Sequence, residues 1–167
     1  FCGFYRPYRE KDTGWTWTLE RCLHEVENQL TNAITEVHIV GGHNPDYPYA
    51  FYLDLVRGIG ALRADLHVKA FTAAEYDFFA RRFKKDLDTV FDDFKEAGVG
   101  SLPGGGAEVL VERVRREIYP KKITAERWLS VTRTAHQHGF RGNATMLYGH
   151  VETLPERVEH LCRLRAL

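Results

Sequence analysis

Short β-branched runs that halt on glycine or proline, each followed by residues at helical spacing, limit this chain to a narrow set of folds. Val37-His38-Ile39-Val40 stops at Gly41-Gly42, and His67-Val68-Lys69-Ala70-Phe71 is a second run. Val99 to Leu102 is a third, broken at Pro103-Gly104-Gly105-Gly106, and Arg141 to Tyr148 is the last. Helical stretches alternate with them. Leu19, Cys22, Leu23, Val26 and Leu30 follow a cap at Thr16 or Thr18, and Pro48 opens a helix carrying Phe51, Tyr52, Leu55, Val56, Ile59 and Leu62. Asp86 caps a helix of Leu87, Val90, Phe91, Phe94 and Ala97 that ends near Gly98. Val114 and Ile118, then Trp128, Leu129 and Ala135, suit two more helices parted at Tyr119-Pro120. Thr153-Leu154-Pro155-Glu156 has capping-box spacing and opens a closing helix through Val158, Leu161 and Cys162.

This alternation calls for parallel strands joined by crossover helices, as in an α/β barrel or an open doubly wound sheet. A complete barrel usually takes about 250 residues. Only about four strands are visible in 167 residues, so the chain reads as a partial TIM-type barrel, one domain over residues 1–167 without a linker. With 44% hydrophobic and 28% charged residues it can bury a core. Lys+Arg 23 balance Asp+Glu 23, which argues against a nucleic-acid partner and for a small molecule. No apolar run approaches the roughly 18 residues of a membrane span, and no signal peptide is evident, so the expected setting is the cytoplasm, off the membrane. Residue 1 is Phe, which points to processing or to a piece of something longer.

Residues that a core does not need gather immediately after the strands. They are Gly41-Gly42-His43-Asn44-Pro45-Asp46, Thr72 with Glu75, Pro103 to Glu108, and Tyr148-Gly149-His150-Val151-Glu152. In a parallel barrel these four segments share the C-terminal rim, where ligands bind. Gly41-Gly42 lets a ligand approach the backbone and leaves amides and carbonyls for a polar group, although a tight strand-to-helix turn uses glycine in the same way. Gly104-Gly105-Gly106 resembles a phosphate cradle but lacks the Lys-Ser/Thr of a P-loop, which excludes that class of triphosphatase. Glu108 suits ribose hydroxyls or, equally, a helix dipole.

The eight histidines show no HExxH spacing, and the three cysteines (Cys2, Cys22, Cys162) form neither paired CxxC motifs nor a disulfide framework. His150 is the best placed of the histidines. Cys22 and Cys162 fall on apolar helical faces and are expected in the core. Cys2 alone is too few thiolates for an iron–sulfur site.

Five blocks together resemble the aminofutalosine synthases, a radical S-adenosylmethionine family of menaquinone biosynthesis. They are Cys2-Gly3-Phe4-Tyr5-Arg6, Glu36 to Asp46, His67 to Thr72, Ser101 to Glu108 and Asn143 to His150. The resemblance implies a transferase with a 4Fe–4S cluster held by a CxxxCxxC loop. Cys2 matches the third of those cysteines, so the resemblance predicts one Cys two residues before Phe1 and another four residues before that, in a longer enzyme. It implies that Gly41 and Gly42 receive the amino group of S-adenosylmethionine. Gly104, Gly105 and Glu108 would lie near its ribose or the substrate, and Thr72, Glu75, Thr145, Tyr148 and His150 would line the substrate site.

The implied reaction adds a 5'-deoxyadenosyl radical to the enolpyruvyl double bond of 3-(1-carboxyvinyloxy)benzoate and loses a carboxylate. Its electron would come from a donor such as flavodoxin or ferredoxin. Alternatives are dehypoxanthine futalosine cyclase, the FO synthase subunit of deazaflavin synthesis, or a cluster-free barrel fragment that only binds a small molecule.

Overall fold

In the computed structural model, which describes residues 3–8, 10 and 13–167, the β-branched runs become β1 (Glu36–Ile39), β2 (His67–Ala70), β3 (Ser101–Leu102) and β4 (Arg141–Gly142). All neighbours pair in parallel, in the order β1-β2-β3-β4. A doubly wound sheet reverses its strand order at a switch point. This sheet adds each new strand on the same side, as a barrel does.

The helices are α1 (Leu19–Gln29), α2 (Tyr49–Leu62), α3 (Ala73–Phe83), α4 (Leu87–Ala97), α5 (Glu112–Ile118), α6 (Ala125–Gln137) and α7 (Leu154–Arg165). Local chemistry sets their ends. Thr18 rather than Thr16 caps α1, its hydroxyl accepting the Arg21 amide at 3.2 Å. Asp86 accepts the Thr89 amide at 2.7 Å, and Gly98 ends α4 in the left-handed region at φ +109°, a conformation that glycine adopts without strain. At the start of α7 the Glu156 carboxylate accepts both the Thr153 amide and its hydroxyl, at 2.7 and 3.0 Å.

Alternation decides which face of the sheet is buried. Val37 and Ile39 of β1, Val68 and Ala70 of β2, and Leu102 of β3 turn towards the helices and join the main core. There they meet a cluster of rings. Phe79 and Phe94 stack at 5.3 Å, Phe71 stands edge-on to both at 5.3 and 5.6 Å, and Tyr76 tilts against Phe91 at 4.5 Å. Leu23 of α1 sits where a Cβ on Gly58 of α2 would lie, so a small residue is required at that crossing.

Three expectations are corrected. Helix α3 was not anticipated, although Thr72-x-x-Glu75 has capping-box spacing and Tyr76, Phe79 and Ala80 share its buried face. The last strand is two residues long instead of running from Arg141 to Tyr148, because residues beyond Gly142 leave the sheet to pair with the loop after β3: the Thr145 and Leu147 amides donate to the Gly104 and Glu108 carbonyls. Cys162 is exposed, as are Leu154, Val158 and Leu161, because α7 turns His160 inward and packs Leu164 on the core. Cys22, by contrast, packs against the core.

Phe94 touches the ring of Phe71, just after β2, and rings from α2 and α3 at no solvent exposure. Phe94→Ala is expected to lower unfolding free energy by about 3–5 kcal/mol, read as a shift in the urea midpoint at unchanged m-value.

Candidate functional site

All four strands end on the same edge of the sheet, so the segments after them form one rim, as the sequence predicts. Its first part is built around Glu75. The capping box places this side chain at the first turn of α3, where its Oε2 accepts the Thr72 amide at 2.8 Å and the Thr72 hydroxyl at 2.7 Å. Its Oε1 accepts the Gly41 amide at 2.7 Å. One buried carboxylate therefore ties the end of β1 to the end of β2. Burial pushes its pKa up to about 7, against the opposing pull of its Thr72 and Gly41 donors. Glu75 thus lies largely buried beneath the rim and holds its backbone. Gly42, beside it, has nothing among the described residues within 4 Å of where a Cβ would stand, so polar ligand groups can reach this stretch of backbone.

The second part is the glycine loop after β3. A Cβ on Gly104 would lie 2.3 Å from the Asn143 carbonyl oxygen, and one on Gly105 would lie 3.0 Å from Thr72 Cγ2. Glycine here serves close backbone packing. The Thr145 hydroxyl donates to the Gly104 carbonyl at 3.1 Å and accepts the Glu108 amide at 3.0 Å, so Thr145 fastens the β4 segment to the β3 loop.

Glu108 stands in the left-handed region at φ +49°, ahead of α5 rather than at its first turn. Its Oε1 accepts the Gly106 amide at 3.2 Å and pairs with Lys122 at 3.0 Å. Four residues that sequence reasoning passed over complete this loop. Trp128 Nε1 donates to the Gly105 carbonyl at 3.2 Å. The buried Arg115 guanidinium donates to the carbonyls of Gly106, Ala107, Val109 and Ile123. His160 Nδ1 accepts the Leu110 amide at 3.1 Å, and burial lowers its pKa, so the ring is neutral with its hydrogen on Nε2. Lys122 is the fourth.

Tyr148 and His150 lie beyond this knot, on an irregular segment instead of a strand end. Tyr148 is exposed, with the Arg157 guanidinium 5.4 Å over its ring. Glu152 organises the turn, accepting the Gly149 and His150 amides at 2.6 and 3.0 Å and pairing with Arg157. The Gly149 amide, foremost among these donors, holds its carboxyl down at about 2. Glu152 was read only as part of the rim, yet it is the residue that shapes this corner.

Cys2 lies outside the described residues. Among the described residues no group of three or more His, Cys, Asp or Glu side chains could hold a metal ion. No helix among the described residues is long and apolar enough to cross a membrane.

The sequence matches the Radical SAM superfamily over residues 1–164. It is 45% identical over 167 residues to the aminodeoxyfutalosine synthase of Thermus thermophilus, covering all of this chain and 45% of that protein. To the synthase of Streptomyces coelicolor it is 35% identical, with 43% of that protein covered. The 5-amino-6-(D-ribitylamino)uracil–L-tyrosine 4-hydroxyphenyl transferase of Microcystis aeruginosa is 38% identical over 170 residues, with 99% of this chain and 45% of that protein covered. The chain thus spans under half the length of these curated relatives. Among solved structures, methylornithine synthase superposes with a TM-score of 0.72 over 91% of this chain and 42% of its own, at 14% identity, a likeness of fold.

A buried acid with a raised pKa binds more protons in the folded than in the unfolded chain between its two pKa values, so its linkage makes stability fall as pH rises. Glu75 should impose that slope between about pH 4.5 and 7. Glu75→Gln should flatten it, measured by urea unfolding at pH 5 and pH 7. An unchanged slope would mean that Glu75 does not titrate there.

Proposed function

The chain belongs to the radical SAM superfamily, and from that premise we propose that it is the barrel segment of an aminodeoxyfutalosine synthase. The observation that carries this reading is the end-to-end identity to the Thermus thermophilus synthase, which exceeds that to the tyrosine transferase. The chain is part of an enzyme, and its superfamily uses a 4Fe–4S cluster and S-adenosylmethionine, which together supply one-electron cleavage of the sulfonium when bound.

The proposed net reaction breaks the C5'–S bond of S-adenosylmethionine, releasing methionine, and joins the 5'-deoxyadenosyl fragment to the enolpyruvyl double bond of 3-(1-carboxyvinyloxy)benzoate with loss of a carboxylate. It takes place in the cytoplasm, with an electron from a donor such as flavodoxin or ferredoxin. Cys2 contributes one thiolate to the cluster. Gly41 and Gly42 receive the amino group of S-adenosylmethionine, and the open backbone at Gly42 supports this. Glu75 fixes that backbone from below. Gly104, Gly105 and Glu108 border the ribose, and the tie between Glu108 and Thr145 supports a single continuous wall there. Thr72, Thr145, Tyr148 and His150 face the substrate, with the exposed Tyr148 ring available to cover it and exclude water.

A transferase acting on tyrosine is the second reading, favoured by the identity to the Microcystis aeruginosa protein. The test is an anaerobic assay of the whole enzyme containing this chain, with S-adenosylmethionine, a reductant and either substrate set. Mass spectrometry should find a product that keeps the adenosyl group when the benzoate is supplied. Turnover confined to tyrosine and 5-amino-6-(D-ribitylamino)uracil would overturn the synthase reading in favour of the second.

A further inference from the structure

The face of the sheet turned away from the helices is polar, and its side chains are in register. His38 pairs with Lys69, Lys69 with Ser101, and Ser101 with Arg141, so these four residues form one row across β1, β2, β3 and β4. Their strand neighbours Ile39, Val68, Ala70 and Leu102 enter the core, which leaves the row on the opposite face. Glu36 and His67 form the row before it. The rest of the face is Val40, exposed at the rim end of β1.

Charge on this face is unbalanced. Glu36 is its only acid, set against Lys69, Arg141 and two histidines. It reaches Lys69 only at 4.0 Å and His67 at 3.9 Å. The His67 ring lies over Gly100, where a Cβ would fall 2.5 Å from its Cε1, and binds the Ser101 hydroxyl at 2.7 Å. His67 and Glu36 thus hold Ser101 and Lys69 from below. The Lys69 side chain is only 21% exposed, so it is a partly desolvated cation with one distant partner. Charges so placed favour an anion more than fully solvated ones do.

We propose that this row binds a carboxylate of the substrate, with Lys69 and Arg141 as the cationic contacts and His38 and Ser101 as further hydrogen-bonding groups. Lys69 and Arg141 stand two strands apart, about 10 Å between backbones, and two long side chains can close that gap on a single carboxylate. The row lies below the rim, so an acid anchored on it presents its other end to the Gly42 and Gly105 backbone. The identity of the acid, a benzoate carrying a second carboxylate, rests on the synthase reading.

The test is equilibrium dialysis of the whole enzyme, without reductant, against 3-(1-carboxyvinyloxy)benzoate and its dimethyl ester. The wild type should hold the acid at least tenfold more tightly than the ester. Lys69→Met and Arg141→Gln should each raise the Kd of the acid by about tenfold or more and leave that of the ester unchanged, with Lys69→Arg restoring binding in part. Glu36→Gln should tighten the acid by releasing Lys69. Variants that separate acid from ester as the wild type does would overturn the proposal while leaving the synthase reading standing. If the wild type binds tyrosine and not the benzoate, the synthase reading fails. The row then stands only if the same variants weaken tyrosine, and equal tyrosine affinity overturns it too.

Discussion

The rest of the molecule depends on parallel pairing in sequential order. Each crossover returns the chain to the same end of the sheet, so every strand finishes on one edge and every loop that follows it is a neighbour of the others. Residues far apart in the chain, such as Gly41, Thr72, Gly104 and Thr145, become adjacent for that reason and not through local attraction. The same pairing gives the sheet two unlike faces. One carries Val37, Ile39, Val68, Ala70 and Leu102 into the aromatic core, and the other carries the charged row.

The rim itself is held by polar bonds that the core cannot supply. At the β1 and β2 ends, the buried Glu75 carboxylate takes three donors. Losing it would leave the half-buried Thr72 amide and the more exposed Gly41 amide without their protein acceptor and free the two loops from each other. At the β3 and β4 ends the work is divided among Arg115, Trp128, Thr145 and His160, which accept or donate to loop backbone so that little of it is free to move. Glycine then matters for what it leaves out. A side chain on Gly104 would collide with the Asn143 carbonyl and unseat the β4 segment.

Much of this was legible in the residues. The β-branched runs, the caps at Thr18, Asp86 and Thr153, and the left-handed Gly98 are local signals, and each stands where its chemistry places it. The rim was legible too, because polar residues after strands share an edge in any parallel sheet. Helix α3 was missed because Thr72 and Glu75 were weighed as ligands and not as the two halves of a cap. The β4 length was misjudged because Asn143 to Tyr148 pairs with a loop from another part of the chain, which periodicity cannot register. Arg115 and His160 were invisible for a similar reason: a buried cation and a buried imidazole look like surface residues until the carbonyls and amide they serve are brought to them. Cys162 shows the converse, since an apolar helical stripe predicts a buried face but not which stripe of the helix the core receives.

Net charge hides the feature that the sheet makes plain. Twenty-three cationic and twenty-three anionic residues cancel over the chain, and that balance is a sound reason to set aside a polyanion as partner. It says nothing about a single anion in a confined place. Strand register sorts the charges by face, putting Lys69, Arg141, His38 and His67 together with only Glu36, while many of the remaining acids pair with arginines of the helices. A neutral chain can therefore present a locally cationic surface without long-range attraction for nucleic acid, because the field of a few charges is screened within about 8–10 Å at physiological salt. That range suits recognition of a small acid seated on the sheet.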